Sequence, residues 1–235
     1  SNTINILNLD DYLYPFAVST IYCAEGEHGV HGYFNGIEDI LKGESRTCRM
    51  SPKDTTPLIV DLGRDGFHLG EKGVGIYFDI QGDGQSILLQ WVSIGENDAF
   101  LVIDLNENGY VDDGSELFGS AAKLILENNK LAEIGFVGLG QYDKMELGGN
   151  EDGLISNQDN VWGMLKYWLD KDADGVSSTD EFIEMAEIGI THFQISPKQN
   201  NRTDSAGNYL GLWAQAFDRN NNRKFKVIDV YFKAL

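Results

Sequence analysis

From Pro57 onward the chain is a series of short apolar runs, each ended by Asp, Asn or Gly. PLIVDL (57–62), VGIYFDI (74–80), SILLQWVSI (86–94) and AFLVIDL (99–105) are rich in β-branched and aromatic residues, which predicts strands. Between residues 121 and 190 the spacing lengthens. Val161, Leu165, Trp168 and Leu169 recur at three-to-four spacing, as do Phe182, Met185 and Ala186, which predicts helices over 161–169 and 182–187. After Ile190 the strand pattern returns in THFQIS (191–196), NYLGLWAQAF (208–217) and KFKVIDVYF (224–232), the last two flanking a turn, DRNNNR, at 218–223. Strands, then helices, then strands give an α+β expectation: short antiparallel strands around a central helical pair, closed by a C-terminal β-hairpin. Residues 1–55 carry both cysteines and short alternating stretches, and read as a strand-containing extension ahead of a domain over 56–235.

Composition narrows what this fold can serve. Asp plus Glu total 37 against 18 Lys plus Arg, a formal charge of −19. Such a surface repels nucleic acid, whose binding depends on basic residues neutralising phosphates, so no nucleic-acid partner is expected. The 12 Phe, 10 Tyr and 4 Trp supply a core, which argues against disorder. No apolar run approaches the ~20 residues of a membrane-spanning helix, and Ser1 does not open a basic-then-apolar leader. Cys23 and Cys48 fit one bridged loop or two buried thiols equally well.

The acids are not scattered. In DKDADGVSSTDE (170–181), Asp170, Asp172 and Asp174 stand at positions 1, 3 and 5, Gly175 at 6 and Glu181 at 12. Calcium takes six to eight oxygens, and a loop of this length can wrap them around one ion. Alternate acids point inward, a glycine turns the chain, Val176 offers its carbonyl, Ser178 acts directly or through water, and Glu181 closes the site with both oxygens. Trp168, just before the loop, is the expected optical reporter. A second loop, GGNEDGLISNQD (148–159), offers Asn150, Asp152, Leu154 and Asp159, with Ile155 at the position that usually pairs two such loops. Gly148 cannot supply the first ligand, so Asp143 is expected to reach back if KMEL bulges out. A third loop, 104–116, offers Asp104, Asn106, Asn108, Tyr110, Asp112 and a Glu116 displaced by one position. DLGRDG (61–66) and DIQGDG (79–84) repeat an Asp-x-x-x-Asp-Gly theme through Asp61, Asp65, Asp79 and Asp83, and read equally as Asp-Gly turns. Calcium is expected at two loops at least, and at up to four. His28 and His31 in HGVHG have zinc-compatible spacing, with Cys23 or Glu27 to join them, but nothing else marks a tetrahedral site.

The order of these motifs, PLIVDL, FDIQGDG, VIDLNENGYVDDGSELFG, LKYWLDKDADGVSSTDEF and AEIGITHFQIS, resembles the EF-hand-bearing region of large bacterial secreted proteins. These are the repeats-in-toxin type and the iron-regulated FrpC-like exoproteins. The resemblance covers about residues 57–196, and implies a secreted, extracellular, calcium-loaded and non-catalytic module with a dockerin-like EF-hand pair. Such modules are attached to toxin, adhesin or enzyme segments, so another protein or a cell-surface component is the implied partner. Some relatives cleave themselves at an Asp-Pro bond when calcium arrives. Here the four prolines follow Tyr14, Ser51, Thr56 and Ser196, so that chemistry is not expected. The competing reading is a calcium-stabilised extracellular enzyme or toxin effector. No GxSxG, HExxH or Walker motif supports it.

Overall fold

The computed structural model describes residues 22–25, 30–32, 47–49, 56–71, 73–119 and 135–235. The chain divides into two compact units, Ser1–Asp54 and Thr55–Leu235. In the first, β1 (Tyr22–Glu25) pairs antiparallel with β2 (Val30–Gly32) and β3 (Thr47–Arg49), a register that sets Cys23 opposite Cys48. The zinc reading of His28 and His31, and the bridging of the cysteines, concern side chains outside the described residues.

In the second unit the apolar runs form β4 (Leu58–Asp61), β5 (Ile76–Phe78), β6 (Ile87–Leu89) and β7 (Asp98–Ile103). These are followed by β8 (Leu154–Ser156), β9 (Leu165–Trp168), β10 (Phe182–Glu184), β11 (Ile190–Gln194), β12 (Lys198–Thr203), β13 (Tyr209–Asp218) and β14 (Lys224–Tyr231). Strands β5 and β6 make a separate hairpin. The others form one nine-stranded sheet in the order β10-β9-β7-β4-β14-β13-β11-β8, with β12 also pairing β13, and every pairing is antiparallel.

This corrects the α+β expectation. There is no central helical EF-hand pair, and nothing dockerin-like, among the described residues. The helix expected over 161–169 is a 3₁₀ helix at Asn160–Met164 followed by β9, and the one expected over 182–187 begins as β10. Strands β9 and β10 pair with Phe182 opposite Trp168, making the loop a hairpin connection. The α-helices described are the short Gly135–Gly140 and the single turn Met185–Ile188. The error has a physical cause. β9 is covered on both faces, with Leu165 and Tyr167 packed on one side of the sheet and Trp168 on the other. A strand apolar on both faces loses its two-residue alternation, and its spacing then imitates a helix.

The two cores follow the pleat. Leu58, Val60, Ala99 and Leu101 face one side, against Phe136, Leu139 and Phe193. Ile59, Phe100 and Val102 face the other, against Trp91, Phe78 and Phe232. Because successive side chains alternate, the loops leaving the strand ends inherit a fixed side of the sheet.

Strand β14 also buries a carboxyl. Asp229 is fully buried, and neither oxygen meets hydrogen-bond geometry with a described residue. Burial pushes it up to about 8, with the Thr56 hydroxyl and the Gly135 N–H pulling the other way. The folded state therefore holds a proton that the unfolded chain releases above its ordinary 3.8. That contribution to stability is complete at low pH and is lost as pH rises through the folded value. In chelator, the melting temperature is expected to fall between about pH 5 and pH 8, and Asp229→Asn to make the slope shallower. A variant that keeps the full wild-type slope would free Asp229 of that role.

Candidate metal centre

One backbone design recurs through the loops. In each, the leading aspartate folds back to accept the N–H groups of the fifth and sixth residues. Asp170 takes those of Asp174 (3.2 Å) and Gly175 (2.9 Å), and Asp104 those of Asn108 (3.1 Å) and Gly109 (2.7 Å). Asp61 takes Asp65 (3.2 Å) and Gly66 (3.0 Å), and Asp79 takes Asp83 (3.2 Å) and Gly84 (2.7 Å). The fourth residue is left-handed each time, with φ of 62° at Arg64, 58° at Glu107 and Glu151, 55° at Ala173 and 60° at Gly82. A side chain in that region costs roughly 1–2 kcal/mol. In the 170–181 loop the third and fifth side chains, Asp172 and Asp174, come close to the leading Asp170.

The 170–181 loop is the fullest. Asp170 is 2% exposed and Glu181 4%. Glu181 accepts the N–H of Lys171 on one oxygen (2.9 Å) and that of Ser178 on the other (3.0 Å). Asp174 accepts from the Val176 N–H, which fixes the direction of that peptide. One carboxylate oxygen each from Asp170, Asp172 and Asp174 lies within 4.8 Å of the others. Calcium–oxygen bonds of about 2.3–2.6 Å span that separation through one ion, so the residues fit the cation. Burial raises Asp170 to about 6, offset in part by the Trp91 indole N–H, which donates to it at 2.6 Å.

Loop 104–116 reaches the same end by another route. Glu116, one residue late in sequence, accepts the N–H of Leu105 (3.0 Å) and of Asp112 (3.0 Å). These are the second and ninth residues, as in the 170–181 loop. A 3₁₀ turn at Gly114–Glu116, capped by Asp113, absorbs the extra residue. Glu116 is 2% exposed and burial raises its pKa. The Asn106 and Asn108 side-chain amides donate to Asp112, and the side-chain Oδ1 of Asn108 accepts from the Tyr110 N–H.

In the 148–159 loop the leading place belongs to Asp143. Its oxygens accept from Asp152 (3.1 Å) and Gly153 (2.9 Å), because Met145–Leu147 bulges out as a 3₁₀ turn ending at a left-handed Gly148. Asp152 accepts from Leu154, and Asp159 accepts from Asn150 (3.3 Å) and Ser156 (2.7 Å). Ile155 does not join this loop to another, since it pairs with Phe193 in β11. The loops that do meet are 104–116 and 170–181. At the eighth position of each, Ser177 Oγ accepts the Val111 N–H (2.8 Å) and donates to the Val111 carbonyl (3.3 Å).

Loop 79–84 braces its neighbour: the Asp79 carbonyl accepts the Gly114 N–H at 2.8 Å, and a β-carbon on Gly114 would lie 1.9 Å from the Ile80 oxygen. Loop 218–223 repeats the fold with a different counter-ion. Asp218 accepts the N–H groups of Asn222 (2.8 Å) and Arg223 (3.2 Å), and the Arg223 guanidinium pairs with it at 3.2 Å.

Sequence spacing misses Trp91, which touches Asp170 although Trp168 is the nearer in sequence; the indole of Trp168 has no hydrogen-bond partner among the described residues. It also misses Ser177. The shared eighth position of two loops is the sequence signal for Ser177, and no spacing in the sequence links Trp91 to Asp170.

Residues 58–233 match the SPM domain. The iron-regulated protein FrpA of Neisseria meningitidis serogroup C is 36% identical over 156 residues, which cover 66% of this chain and 13% of that relative. The chain thus spans a small part of the length of the curated relative it matches.

Proposed function

The chain belongs to the SPM domain family, and from that premise we propose that it is a non-catalytic calcium-binding module of a secreted bacterial protein, stabilised by the ions its loops hold. The observation that carries this reading is the repeated closure. Glu181, Glu116 and Asp159 each complete a loop whose leading aspartate is Asp170, Asp104 or Asp143. A simple turn needs neither the buried closing acids Glu181, Glu116 and Asp159 nor the buried leading acids Asp170 and Asp143. Burying two carboxylates together raises their energy unless a positive charge answers them. In the 170–181 loop, Asp170, Asp172, Asp174, Ser178 and Glu181 would supply side-chain oxygens and Val176 its carbonyl. In the others, Tyr110 and Leu154 take the place of Val176.

Secretion fits the reading, because extracellular calcium is abundant and a chain of this charge is destabilised without it. Among the described residues no helix is long and apolar enough to cross a membrane. Another protein or a cell-surface component is the partner class proposed for the longer polypeptide.

Calorimetric titration of chelator-stripped protein tests this. At least three ions are expected, one for each closed loop, with a change in Trp91 emission that Asp170→Ala removes along with one ion. No binding at millimolar calcium would reduce the loops to acidic turns.

A further inference from the structure

The leading aspartates accept amide groups of their own loops, but Asp170 also takes a donor from far outside its loop. The Trp91 indole N–H reaches its Oδ2 at 2.6 Å, across 79 residues of sequence. The Gly175 N–H meets the same oxygen at 2.9 Å. A carboxylate oxygen has two lone pairs, so Oδ2 is full. Oδ1 accepts the Asp174 N–H at 3.2 Å and keeps its second pair. The two donors on Oδ2 therefore decide which oxygen of Asp170 is left for a cation.

Trp91 is a fixed donor because the core grips it. It is 2% exposed, and its ring centroid lies 4.7 Å from that of Phe100, 5.0 Å from Phe78, 5.1 Å from Phe232 and 6.0 Å from Trp168. The indole cannot aim its N–H elsewhere without moving these close-packed rings. The same stretch of chain holds the next loop position, since the Gly95 N–H donates to the Lys171 carbonyl at 2.9 Å. A buried indole N–H ordinarily finds an acceptor, which alone could account for the bond to Asp170. Trp168 argues for more: its N–H is buried in the same core and has no partner among the described residues. Asp104 gives the contrast. It leads a loop of the same design and accepts from Asn108 and Gly109, both within that loop.

We propose that Trp91 is a positioning residue of the 170–181 calcium site: its N–H holds Asp170 Oδ2 and leaves Oδ1 to join the Asp172 and Asp174 carboxylates on the ion. The aromatic core thereby sets how tightly this one loop binds. The proposal rests on the calcium reading above and names a determinant of one of its ions. Removing a group that orients a metal ligand costs roughly 10–100-fold in affinity.

Two variants of the whole chain separate this role from packing. Trp91→Phe keeps a ring in the core and deletes the donor. Trp168→Phe makes the same change to an indole whose N–H has no partner among the described residues. Both should melt earlier in chelator, since both lose packing. In calorimetric titration with calcium, Trp91→Phe is expected to bind one ion about tenfold more weakly and the others unchanged, whereas Trp168→Phe keeps every affinity within about twofold. Added to Asp170→Ala, which already lacks that ion, Trp91→Phe should alter no remaining affinity. Replacing Trp91 by benzothienylalanine, whose sulfur takes the place of the N–H in a ring of the same shape, should repeat the loss however well phenylalanine packs. Equal weakening in the two phenylalanine variants, or wild-type affinities in the benzothienylalanine protein, would overturn the role of Trp91 and leave the calcium reading standing. If the wild type itself binds no calcium, both are overturned.

Discussion

Saturating calcium is expected to raise the melting temperature of the chelator-stripped domain by about 20 °C. A site with a dissociation constant of about 10 µM gains roughly 2.7 kcal/mol at about 1 mM free calcium. Three such sites add about 8 kcal/mol, and in a domain of this size each kcal/mol shifts melting by about 2–4 °C. The gain is large because the calcium-free state is poor. Loop 104–116 holds Asp104, Glu107, Asp112, Asp113 and Glu116 with no base among them, and Glu116 is buried. Magnesium at the same concentration should do far less, since it demands a tight octahedron and gives up its water reluctantly. Scanning calorimetry in chelator, calcium and magnesium decides the matter. Identical curves in chelator and calcium would sink the proposed function.

Asp170→Asn is expected to change sign with the medium. In calcium it loses one ion and about 3 kcal/mol. In chelator near pH 8 it should be the more stable protein, by on the order of 2 kcal/mol, because the wild type then buries an ionised group. Burial is the main cause of the raised Asp170 pKa, about 6 against an ordinary 3.8. A raised folded pKa means the wild type is penalised as pH climbs through that value, so the variant's advantage should vanish near pH 4. The Trp91 indole, which donates to Asp170, can still donate to the amide oxygen that replaces it. Denaturant melts at both pH values, with and without calcium, give the four numbers needed. A variant weaker in every condition would mean that Asp170 serves only as a loop brace.

How far the sequence could be read depended on the range of the interaction. Asp61, Asp79, Asp104 and Asp170 each stand five residues before a glycine, and the fold-back of each onto loop amides is local. Asp143 was legible because only a bulge separates it from its loop. What the loops connect was not legible. Helices and two-faced strands share the pattern Leu165, Trp168, Leu169, and only the sheet neighbours of β9 decide between them. Trp91 escaped for a related reason. It lies 79 residues before Asp170, and its indole N–H reaches that carboxylate only once the aromatic core has assembled.

The hairpin between β13 and β14 carries its own cation. Since Arg223 is covalently part of the chain, the Asp218 turn cannot be emptied by a chelator. The molecule therefore contains a permanent reference for its own loops. In amide hydrogen exchange, Asn222 and Arg223 should hold the same protection whether calcium is present or withdrawn, while Gly109 and Gly175 exchange faster on withdrawal. The ratio of the two reports occupancy on a scale that needs no outside calibration.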